Sequence, residues 1–271
     1  MSIEKDYYEN PDFWADDIFA GDSERFRGVL DLIPDDARTL LDVGCGNGAF
    51  LHFVLDSGRT FDRLHGADRS QTALSRVRTD KTLASIENLA FRDRAFDAVT
   101  CLEVIEHLPH GIYEQGLANL CRIAGKYVVI GVPFDEDIEA DLVRCPSCTG
   151  RFNPDYHLRR YSEDSLNDLL LPYGFQSAGR LLFGAMARYL FVTGWLQRRN
   201  RARRNGNPFH TAIPCPMCGF SLPPRIDSSA IASPAPSAAP AAREVLGVLA
   251  KKILRTGPSY GGIAMVYRRS A

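Results

Sequence analysis

The sequence predicts an α/β fold built on a mostly parallel sheet, and two observations support this prediction. Short runs rich in Val, Ile and Leu alternate with segments of helical periodicity, and Gly, Asp or Pro bounds the runs. Strands that alternate with helices form a parallel sheet covered on both faces. The second observation is a glycine-rich turn directly after the first strand. The first five predicted strands are RTLLDVG, DRLHGAD, KTLASI, AFDAVTCL and GKYVVIGV.

The first strand runs into the glycine turn, in the stretch LLDVGCGNGAFL. Gly44, Gly46 and Gly48 are spaced G-x-G-x-G, which differs from the G-x-G-x-x-G of dinucleotide-binding turns. A tight connection between strand and helix needs glycine in any case, so the turn alone is weak evidence for a ligand. Two acids strengthen it. Asp42 precedes the glycines, in position for a cationic amino group, and Asp68 ends the second strand, where a carboxylate accepts from both ribose hydroxyls.

The chain after Pro133 is predicted to add further elements. Ser162 is a candidate N-cap for a helix that ends near Gly174, and QSAGRLLF reads as a sixth strand. A basic helical stretch runs from Gly184 to about Pro224. An Ala/Pro/Ser linker and the helix REVLGVLAKKIL lead from there to the apolar closing strand GGIAMVYRR.

Composition excludes several classes of protein. A chain of 271 residues, 45% hydrophobic and with a net charge of −1, can bury one large core, with or without a small satellite. Near-neutral charge argues against a general nucleic-acid binder. No stretch reaches the roughly 20 apolar residues of a membrane span, and MSIEKDYYENPDFW does not resemble a signal peptide. We therefore expect a cytoplasmic protein without a transmembrane segment.

Four motifs together resemble a known family. In order and spacing, LLDVGCGNGAF, GADRS, ENLAFRDRAFDAVTCLEVIEHLPH and VVIGVP are similar to the successive motifs of class I S-adenosylmethionine-dependent methyltransferases. The resemblance covers about residues 38–183. It implies a Rossmann-like sheet of seven strands, mostly parallel and with the last strand antiparallel, and S-adenosylmethionine as the cofactor.

The resemblance also assigns cofactor-binding residues. Asp68 would hold the ribose and Arg69 would flank the adenine. Ser85 stands where the family usually has an aspartate beside the adenine, so the backbone of Ile86 is the alternative contact there. Cys101 and Leu102 would lie near the methionine. The residues that would line the cofactor are Asp42, Gly44, Cys45, Gly46 and Gly48.

The run LEVIEHLPH places Glu103, Glu106 and His107 at the carboxyl end of the fourth strand, where open α/β sheets bind ligands. His107 is the candidate base that removes a proton from the methyl acceptor. A purely structural turn is the first alternative. The second is that these three residues and His157 resemble the Glu-x-x-Glu-His run and downstream histidine of small-RNA 2′-O-methyltransferases, which would bind a divalent metal ion that activates a hydroxyl.

Four of the seven cysteines form two Cys-Pro-x-Cys pairs. This spacing is typical of zinc knuckles, and two knuckles complete a tetrahedral site of four thiolates. Such a site has no open coordination position, so the zinc ion should be structural. Redox pairs or disulfides are the competing readings. The predicted ligands are Cys145, Cys148, Cys215 and Cys218.

We expect four segments: residues 1–36, an N-terminal helical cap in which Tyr8 and Trp14 are candidates to cover the cofactor; 37–183, the methyltransferase core with the first knuckle; 184–258, an insertion that carries the second knuckle and could form a lid; and 259–271, the closing strand.

The predicted function is methyl transfer to a small polar acceptor, such as a sugar or a natural-product intermediate. The arginines between Arg198 and Arg204 could contact phosphate on a nucleotide sugar, a lipid carrier or RNA. RNA methylation and a non-catalytic zinc-ribbon adaptor are the alternative functions.

Overall fold

The structure is a computed structural model that describes residues 7–14, 21–139, 142–189, 212–223 and 255–270. Two compact units divide the chain. The first comprises residues 1–138, 156–184 and 260–271, and the second comprises residues 139–155 and 185–259. The first unit contains every candidate cofactor-binding and catalytic residue, whereas the second contains both cysteine pairs.

The first unit is built on one seven-stranded sheet with the order β3-β2-β1-β4-β5-β11-β8. Strands β1 to β5 pair in parallel, and β11 runs antiparallel to β5. The predicted Rossmann-like sheet with an antiparallel closing strand is therefore confirmed. Its strands are β1 Thr39–Val43, β2 Arg63–Asp68, β3 Asp80–Leu83, β4 Phe96–Leu102, β5 Ala124–Pro133, β8 Phe175–Tyr189 and β11 Arg255–Arg269.

Helices and 3-10 turns connect these strands. The α-helices are α1 Ser23–Leu32, α2 Ala49–Asp56, α3 Gln71–Leu74, α4 Ile112–Ile123 and α5 Glu163–Asn167. The 3-10 turns are Pro11–Trp14, Ile86–Asn88, Ile105–His107 and Leu171–Tyr173.

Both faces of the sheet are buried, as a parallel sheet requires. On β4, Ala98 packs in a cluster with residues of α1 and α2, while its neighbour Val99 packs in the other cluster with residues of α4 and α5. Successive residues of a strand point to opposite faces, so each central strand contributes to both cores. This explains why the strands read as continuous apolar runs and do not alternate.

The predicted elements after Pro133 are found with changed bounds. Ser162 is an N-cap whose hydroxyl accepts from the Ser165 amide, but α5 ends at Asn167. A 3-10 turn containing Pro172 follows, because proline cannot continue the helical hydrogen bonding. Gly174 then adopts φ 80°, the left-handed conformation expected at the end of a helix.

The second unit contains two small hairpins of identical design. In one, β6 Val143–Arg144 pairs with β7 Arg151–Phe152, and in the other, β9 Ile213–Pro214 pairs with β10 Ser221–Leu222. Each carries one cysteine pair in its turn. The core prediction of residues 37–183 included the first pair, whereas the structure groups residues 139–155 with the insertion.

Several predicted features lie outside the described residues. They are residues 190–211 of the basic stretch, with the arginines between Arg198 and Arg204, the Ala/Pro/Ser linker and the helix REVLGVLAKKIL. The prediction of a helix that starts at Gly184 is wrong in its described part, because residues 184–189 continue strand β8. Among the residues that are described, no helix has the length and apolar character needed to cross a bilayer.

Candidate active site

The glycine turn between β1 and α2 has a backbone that only glycine adopts without strain. Gly44, Gly46 and Gly48 have φ values of 73°, 54° and 82°, all in the left-handed region. The space above them is also filled. A Cβ on Gly44 would lie 2.3 Å from Val104 Cγ2, and a Cβ on Gly46 would lie 2.6 Å from the Trp14 ring. The absence of side chains at these positions therefore lets Val104 and Trp14 pack directly against the turn.

Asp42 lies at the end of β1, next to the turn, and is 3% exposed. Its Oδ1 accepts a hydrogen bond of 2.6 Å from the hydroxyl of Thr100, which is its register partner on β4. Among the described side chains none forms an ion pair with Asp42. Burial, with a smaller contribution from the charge of Asp68, raises the pKa of Asp42 to about 7. This carboxylate therefore fits the ammonium group of S-adenosylmethionine, which would supply the missing positive charge.

Asp68 lies at the end of β2 and fixes the same turn. Its two oxygens accept backbone hydrogen bonds of 2.8 Å, one from Gly46 and one from Ser70. Burial raises the pKa of Asp68 despite these two donors. A carboxylate oxygen can accept two hydrogen bonds, so each still has capacity for a ribose hydroxyl. Asp68 thus fits the predicted role and also holds the glycine turn to β2.

The N-terminal segment covers this turn. Trp14 is 6% exposed and its indole nitrogen donates to the carbonyl of Tyr8 at 2.7 Å. The carboxylate of Glu9 accepts from the backbone amides of Gln71 and Thr72, at 3.2 and 3.1 Å. Glu9 therefore ties the segment predicted to form a cap to the first turn of α3.

The remaining predicted cofactor residues fall into two groups. Cys45 and Cys101 are buried, and burial raises the pKa of both thiols well above the ordinary value, so they are neutral and act as small apolar side chains. Arg69 and Ser85 make local contacts. The Arg69 guanidinium lies 5.6 Å from the centroid of the Tyr8 ring, and the Ser85 hydroxyl donates to Glu87.

Ile86 and Leu102 complete the predicted set. The backbone carbonyl of Ile86 accepts a hydrogen bond of 3.1 Å from the side-chain amide of Asn119. Leu102 is the last residue of β4, in register with Gly131 of β5. Both positions are at the carboxyl edge of the sheet, and their contacts with the cofactor stay a prediction.

Glu103 follows β4 in a left-handed conformation with φ 55°, which is uncommon for a residue with a side chain. Its carboxylate lies 3.4 Å from the Arg25 guanidinium, which also pairs with Asp22 at 2.7 Å. Burial raises the pKa of Glu103, and the charge of Arg25 opposes that rise. Glu103 is thus directed toward α1.

Glu106, His107 and His157 come together at the carboxyl end of β4. One ligand atom from each lies within 4.8 Å of the others. Glu106 is 0% exposed, and among the described residues neither of its carboxylate oxygens has a hydrogen-bond partner. Burial and the nearby charge of Glu103 raise the pKa of Glu106 well above its ordinary value. A buried carboxylate without donors is costly, and a bound cation would remove that cost.

The loop that carries His157 is fixed to the turn that carries Glu106. The Leu158 amide donates to the Glu106 carbonyl at 2.8 Å, and the Arg159 guanidinium donates to the Leu108 carbonyl. The imidazole of His157 contacts Glu136 Oε2 through Nδ1 at 2.6 Å. The rings of His107 and His157 lie 4.8 Å apart. Two separate stretches of chain therefore form one cluster.

The four predicted zinc ligands also come together, in the second unit. Sγ atoms are 3.7 Å apart between Cys145 and Cys218 and between Cys148 and Cys215. Tetrahedral zinc with Zn–S bonds of about 2.3 Å would hold its sulfurs about 3.8 Å apart, so the geometry fits a zinc ion and is too wide for disulfides. Burial would raise the pKa of Cys145, but backbone amides of Cys148 and Ser147 outweigh it and lower that pKa to about 7.

Three residues of the site were not predicted from the sequence. Thr100 could have been found, since the sheet order places it beside Asp42. No sequence motif around Arg25 or Glu136 indicates a role in the site, because their contacts with Glu103 and His157 depend on tertiary structure.

Known proteins resemble this chain in the same region. It is 35% identical over 95 residues to the ubiquinone biosynthesis O-methyltransferase of Thiobacillus denitrificans. The matched region covers 31% of this chain and 40% of that protein. It is 29% identical over 114 residues to the small RNA 2′-O-methyltransferase of Arabidopsis thaliana, which covers 36% of this chain and 12% of that protein. The chain thus spans less than half the length of these relatives.

A solved structure and a protein family match a larger part of the chain. The crystal structure of a SAM-dependent methyltransferase from Archaeoglobus fulgidus has a TM-score of 0.53 and 18% identity, and the match covers 95% of this chain and 99% of that one. At this identity the likeness concerns the fold alone. The family described as a methyltransferase domain matches residues 21–178. Since that match spans more than half of the 271 residues, the chain belongs to the methyltransferase-domain family, the S-adenosylmethionine-dependent class that its motifs resemble.

Proposed function

We propose that the protein transfers a methyl group from S-adenosylmethionine to a hydroxyl oxygen of a polar acceptor, with help from a divalent cation at Glu106, His107 and His157. The observation that carries this proposal is the burial of Glu106, neither of whose carboxylate oxygens accepts a hydrogen bond from the described residues. Family membership and the fit of Asp42 and Asp68 support the choice of methyl donor.

The cofactor, when bound, supplies an electrophilic methyl group on a sulfonium. The chain's own residues bind and align it. Asp42 would neutralise the ammonium group, and Asp68 would accept from the ribose hydroxyls while it holds the Gly46 amide. In-line displacement depends on alignment of donor and acceptor, so a rigid glycine turn is what this step requires.

Deprotonation of the acceptor is the second requirement. A divalent cation lowers the pKa of a bound hydroxyl, which would make an alkoxide available near neutral pH. Glu106 supplies a carboxylate oxygen, the ligand type preferred by Mg²⁺ and Mn²⁺, and the two histidines supply imidazole nitrogens. Glu103 is paired with Arg25 and lies outside this group of three, so we assign it the support of the turn and not a ligand role.

General-base catalysis by His107 without a cation is the second candidate. The 3.8 Å separation between His107 Nε2 and Glu106 Oε1 favours it, because a carboxylate beside an imidazole stabilises the protonated ring. The two mechanisms differ in their response to chelation.

The test uses the full chain and Mn²⁺ as the probe. Wild type should bind Mn²⁺, and Glu106→Gln should weaken that binding at least about tenfold while the affinity for S-adenosylhomocysteine stays near wild type. Glu24→Gln, an exposed carboxylate on α1, is the matched control. Wild-type turnover that survives a chelator but is lost in His107→Ala would favour the metal-free base and reject the cation.

The acceptor class follows from less direct support. One relative is named for ubiquinone biosynthesis and another for small RNA, and both names specify methylation on oxygen. We favour a small-molecule acceptor, which could carry a phosphate or lipid group. A protein with a net charge of −1 is poorly suited to bind a long polyanion such as RNA. Transfer of labelled methyl groups to a panel of phenols, sugars and short RNA oligonucleotides would identify the class.

The sequence also left a non-catalytic adaptor as an alternative, and membership of the methyltransferase-domain family argues against it. It would retain the fold without a working cofactor pocket. Calorimetric titration with S-adenosylhomocysteine separates the two functions, since an adaptor should show no saturable binding.

We also propose that Cys145, Cys148, Cys215 and Cys218 hold one structural zinc ion. The sulfur spacing of 3.7 Å supports this assignment. Four thiolates close the coordination sphere, so this ion would stabilise the second unit and take no part in methyl transfer.

A further inference from the structure

We infer that Arg159 is a positioning residue for the turn that carries Glu106 and His107: its guanidinium holds the carbonyl of Leu108, directly after the turn. This inference rests on the proposed function and deepens it, because it names a side chain that acts on the candidate site through the backbone of the turn. Two contacts carry it, the hydrogen bond from Arg159 to the Leu108 carbonyl and the packing of Arg159 on the ring of Tyr113.

The turn has weak hydrogen bonding of its own. It is a 3-10 turn of three residues, Ile105–His107, and such turns have poorer hydrogen-bond geometry than α-helices. The His107 amide donates to the Val104 carbonyl at 3.1 Å, and the Leu108 amide donates to the Ile105 carbonyl at 3.4 Å. The second distance exceeds the usual range of about 2.7–3.2 Å. Contacts from other parts of the chain must therefore help to set the direction of the side chains on this turn.

Residues 158–161 supply such contacts. The Leu158 amide donates to the Glu106 carbonyl at 2.8 Å, and the Arg159 guanidinium donates to the Leu108 carbonyl. A charged donor forms a stronger hydrogen bond than a neutral one. The contact of Leu158 is made by the backbone and does not depend on the side chain, so Arg159 provides the contact that a substitution can remove.

Tyr113 holds the guanidinium of Arg159 in place. The Cζ atom of Arg159 lies 4.0 Å from the centroid of the Tyr113 ring, within the range of a cation–π interaction. Tyr113 belongs to α4, a helix of 12 residues, and its hydroxyl lies 3.3 Å from the hydroxyl of the buried Tyr161. The guanidinium thus connects the end of the turn to a regular helix of the fold.

The next residue in the sequence, Arg160, has the same charge but different contacts. Its side chain is 56% exposed and pairs with Asp135. Arg159 and Arg160 share their chemistry and nearly share their position in the sequence, whereas the hydrogen bond to the Leu108 carbonyl belongs to Arg159. Substitution of Arg160 is therefore the matched control for substitution of Arg159.

The first measurement is the affinity of the full chain for Mn²⁺. Arg159→Met, which removes the donor and the charge but keeps a long side chain, should weaken it about tenfold, the lower end of the range found for groups that support metal ligands. Arg159→Lys keeps a charged donor that can face the Tyr113 ring, so its loss should be smaller. Arg160→Met should bind Mn²⁺ as wild type does. The electron paramagnetic resonance spectrum of bound Mn²⁺ should change in Arg159→Met and not in Arg160→Met, because displaced ligands alter the symmetry around the ion.

The second measurement does not need the metal. Hydrogen exchange of the His107 and Leu108 amides should be at least about tenfold faster in Arg159→Met than in wild type, because local opening of the turn becomes easier. Tyr113→Leu, which keeps Arg159 but removes the ring, should change exchange in the same direction. Arg160→Met should leave both amides as in wild type. The affinity for S-adenosylhomocysteine should be the same in all of these proteins, which excludes a general loss of folding.

Each outcome decides the inference. Wild-type exchange at His107 and Leu108 in Arg159→Met overturns it, and so does undiminished Mn²⁺ affinity in that variant where wild type binds the ion. Similar losses in Arg159→Met and Arg160→Met would make the effect one of net charge, and a parallel loss of affinity for S-adenosylhomocysteine would make it one of folding; either result also overturns the positioning role. If wild type binds no Mn²⁺, the proposed cation fails, and the exchange of the two amides alone then decides whether Arg159 positions the turn.

Discussion

Acidic side chains concentrate at one edge of the sheet, and each is costly to the folded state. Asp42 and Glu106 are buried and Asp68 and Glu103 are partly buried, and loss of solvent raises the pKa of all four carboxyl groups. Burial of carboxylates with incomplete pairing destabilises a fold. The arrangement is reasonable for a site that gains positive charge on binding, from an ammonium group at Asp42 and from a cation at Glu106. We therefore expect ligands to stabilise this protein strongly.

The pKa of Asp42 predicts how stability depends on pH. Its folded-state pKa is about 7, against an ordinary value of 3.8. Between these values the folded state binds more protons than the unfolded state, so the free energy of unfolding should fall as pH rises from about 4 to about 7. Asp42→Asn cannot ionise, and it should reduce this slope. Thermal unfolding of both proteins across the window measures the difference.

The other three acids titrate in the same direction, so the slope in Asp42→Asn should become smaller without vanishing. Asp36→Asn is a suitable control, since a hydrogen bond from Tyr127 lowers the pKa of Asp36, and its loss affects stability with the opposite dependence on pH. Identical slopes in wild type and Asp42→Asn would refute the assignment of a raised pKa to Asp42.

At the residue scale, sequence was informative wherever a role depends on position along one strand. Asp42 and Asp68 end β1 and β2, and their locations follow from the pattern alone. Arg25 and Glu136 could not be predicted in this way. Arg25 contacts Glu103, and Glu136 contacts His157. In each pair the two residues lie far apart in sequence and belong to no shared motif.

Among the structural elements, the N-terminal segment has the most direct relation to the cofactor turn. Pro11–Trp14 forms a 3-10 turn that places the indole of Trp14 over Gly46. Glu9 fixes the segment through the amides of Gln71 and Thr72 and the Ser70 hydroxyl. The segment is held by a few hydrogen bonds to α3 and its N-cap, which suits an element that opens and closes.

Glu9→Ala should accelerate both association and dissociation of S-adenosylhomocysteine. Loss of about 1 kcal/mol in contacts that hold the segment closed corresponds to rates about 3- to 10-fold faster. The equilibrium affinity should change less than either rate, because the side chain contacts the loop and not the proposed ligand positions. Stopped-flow fluorescence of Trp14 reports the rates, with Trp195→Phe as the common background to remove the second tryptophan.

Glu24→Ala, on the exposed surface of α1, provides the control for a general effect of removing a carboxylate. Unchanged rates in Glu9→Ala would show that the segment does not limit access to the glycine turn.

Most element types were predictable, whereas some element ends were not, and residues 184–189, predicted to begin a helix, continue strand β8. Ser162 was recognised as an N-cap because its hydroxyl can satisfy a free amide of the first turn. The early end of α5 at Asn167 was not recognised. The sequence LNDLLLPYG keeps helical periodicity up to the proline, but the residue before a proline is disfavoured in the helical conformation, and the chain forms a separate 3-10 turn.

At the scale of the whole molecule, the candidate catalytic site and the candidate zinc site belong to different units. The candidate cofactor and catalytic residues all belong to the unit with the large sheet, and both knuckles belong to the other. The knuckles repeat each other closely. The backbone carbonyls of Cys145 and Cys215 accept hydrogen bonds from the backbone amides of Thr149 and Gly219. Thr149 and Gly219 both have left-handed φ values, 61° and 74°. Each hairpin has only two residues per strand, so neither can bury a core of its own.

Zinc should therefore supply much of the folding free energy of the second unit. A four-thiolate site can contribute about 10–16 kcal/mol near neutral pH, and it would cross-link positions that are 67 and 73 residues apart in sequence. Cys215→Ser should release the ion and unfold the hairpins. The affinity for S-adenosylhomocysteine should be preserved, because Asp42, Asp68 and the glycine turn all lie in the first unit.

Metal analysis, cysteine alkylation and calorimetry on the same preparation test these expectations together. Cys121→Ser, which replaces a buried cysteine of α4, is the control for loss of a thiol. Less than about half an equivalent of zinc in freshly purified wild type, or alkylation of Cys145 and Cys148 at the rate of free thiols, would contradict a shared site, since a closed coordination sphere should protect all four sulfurs.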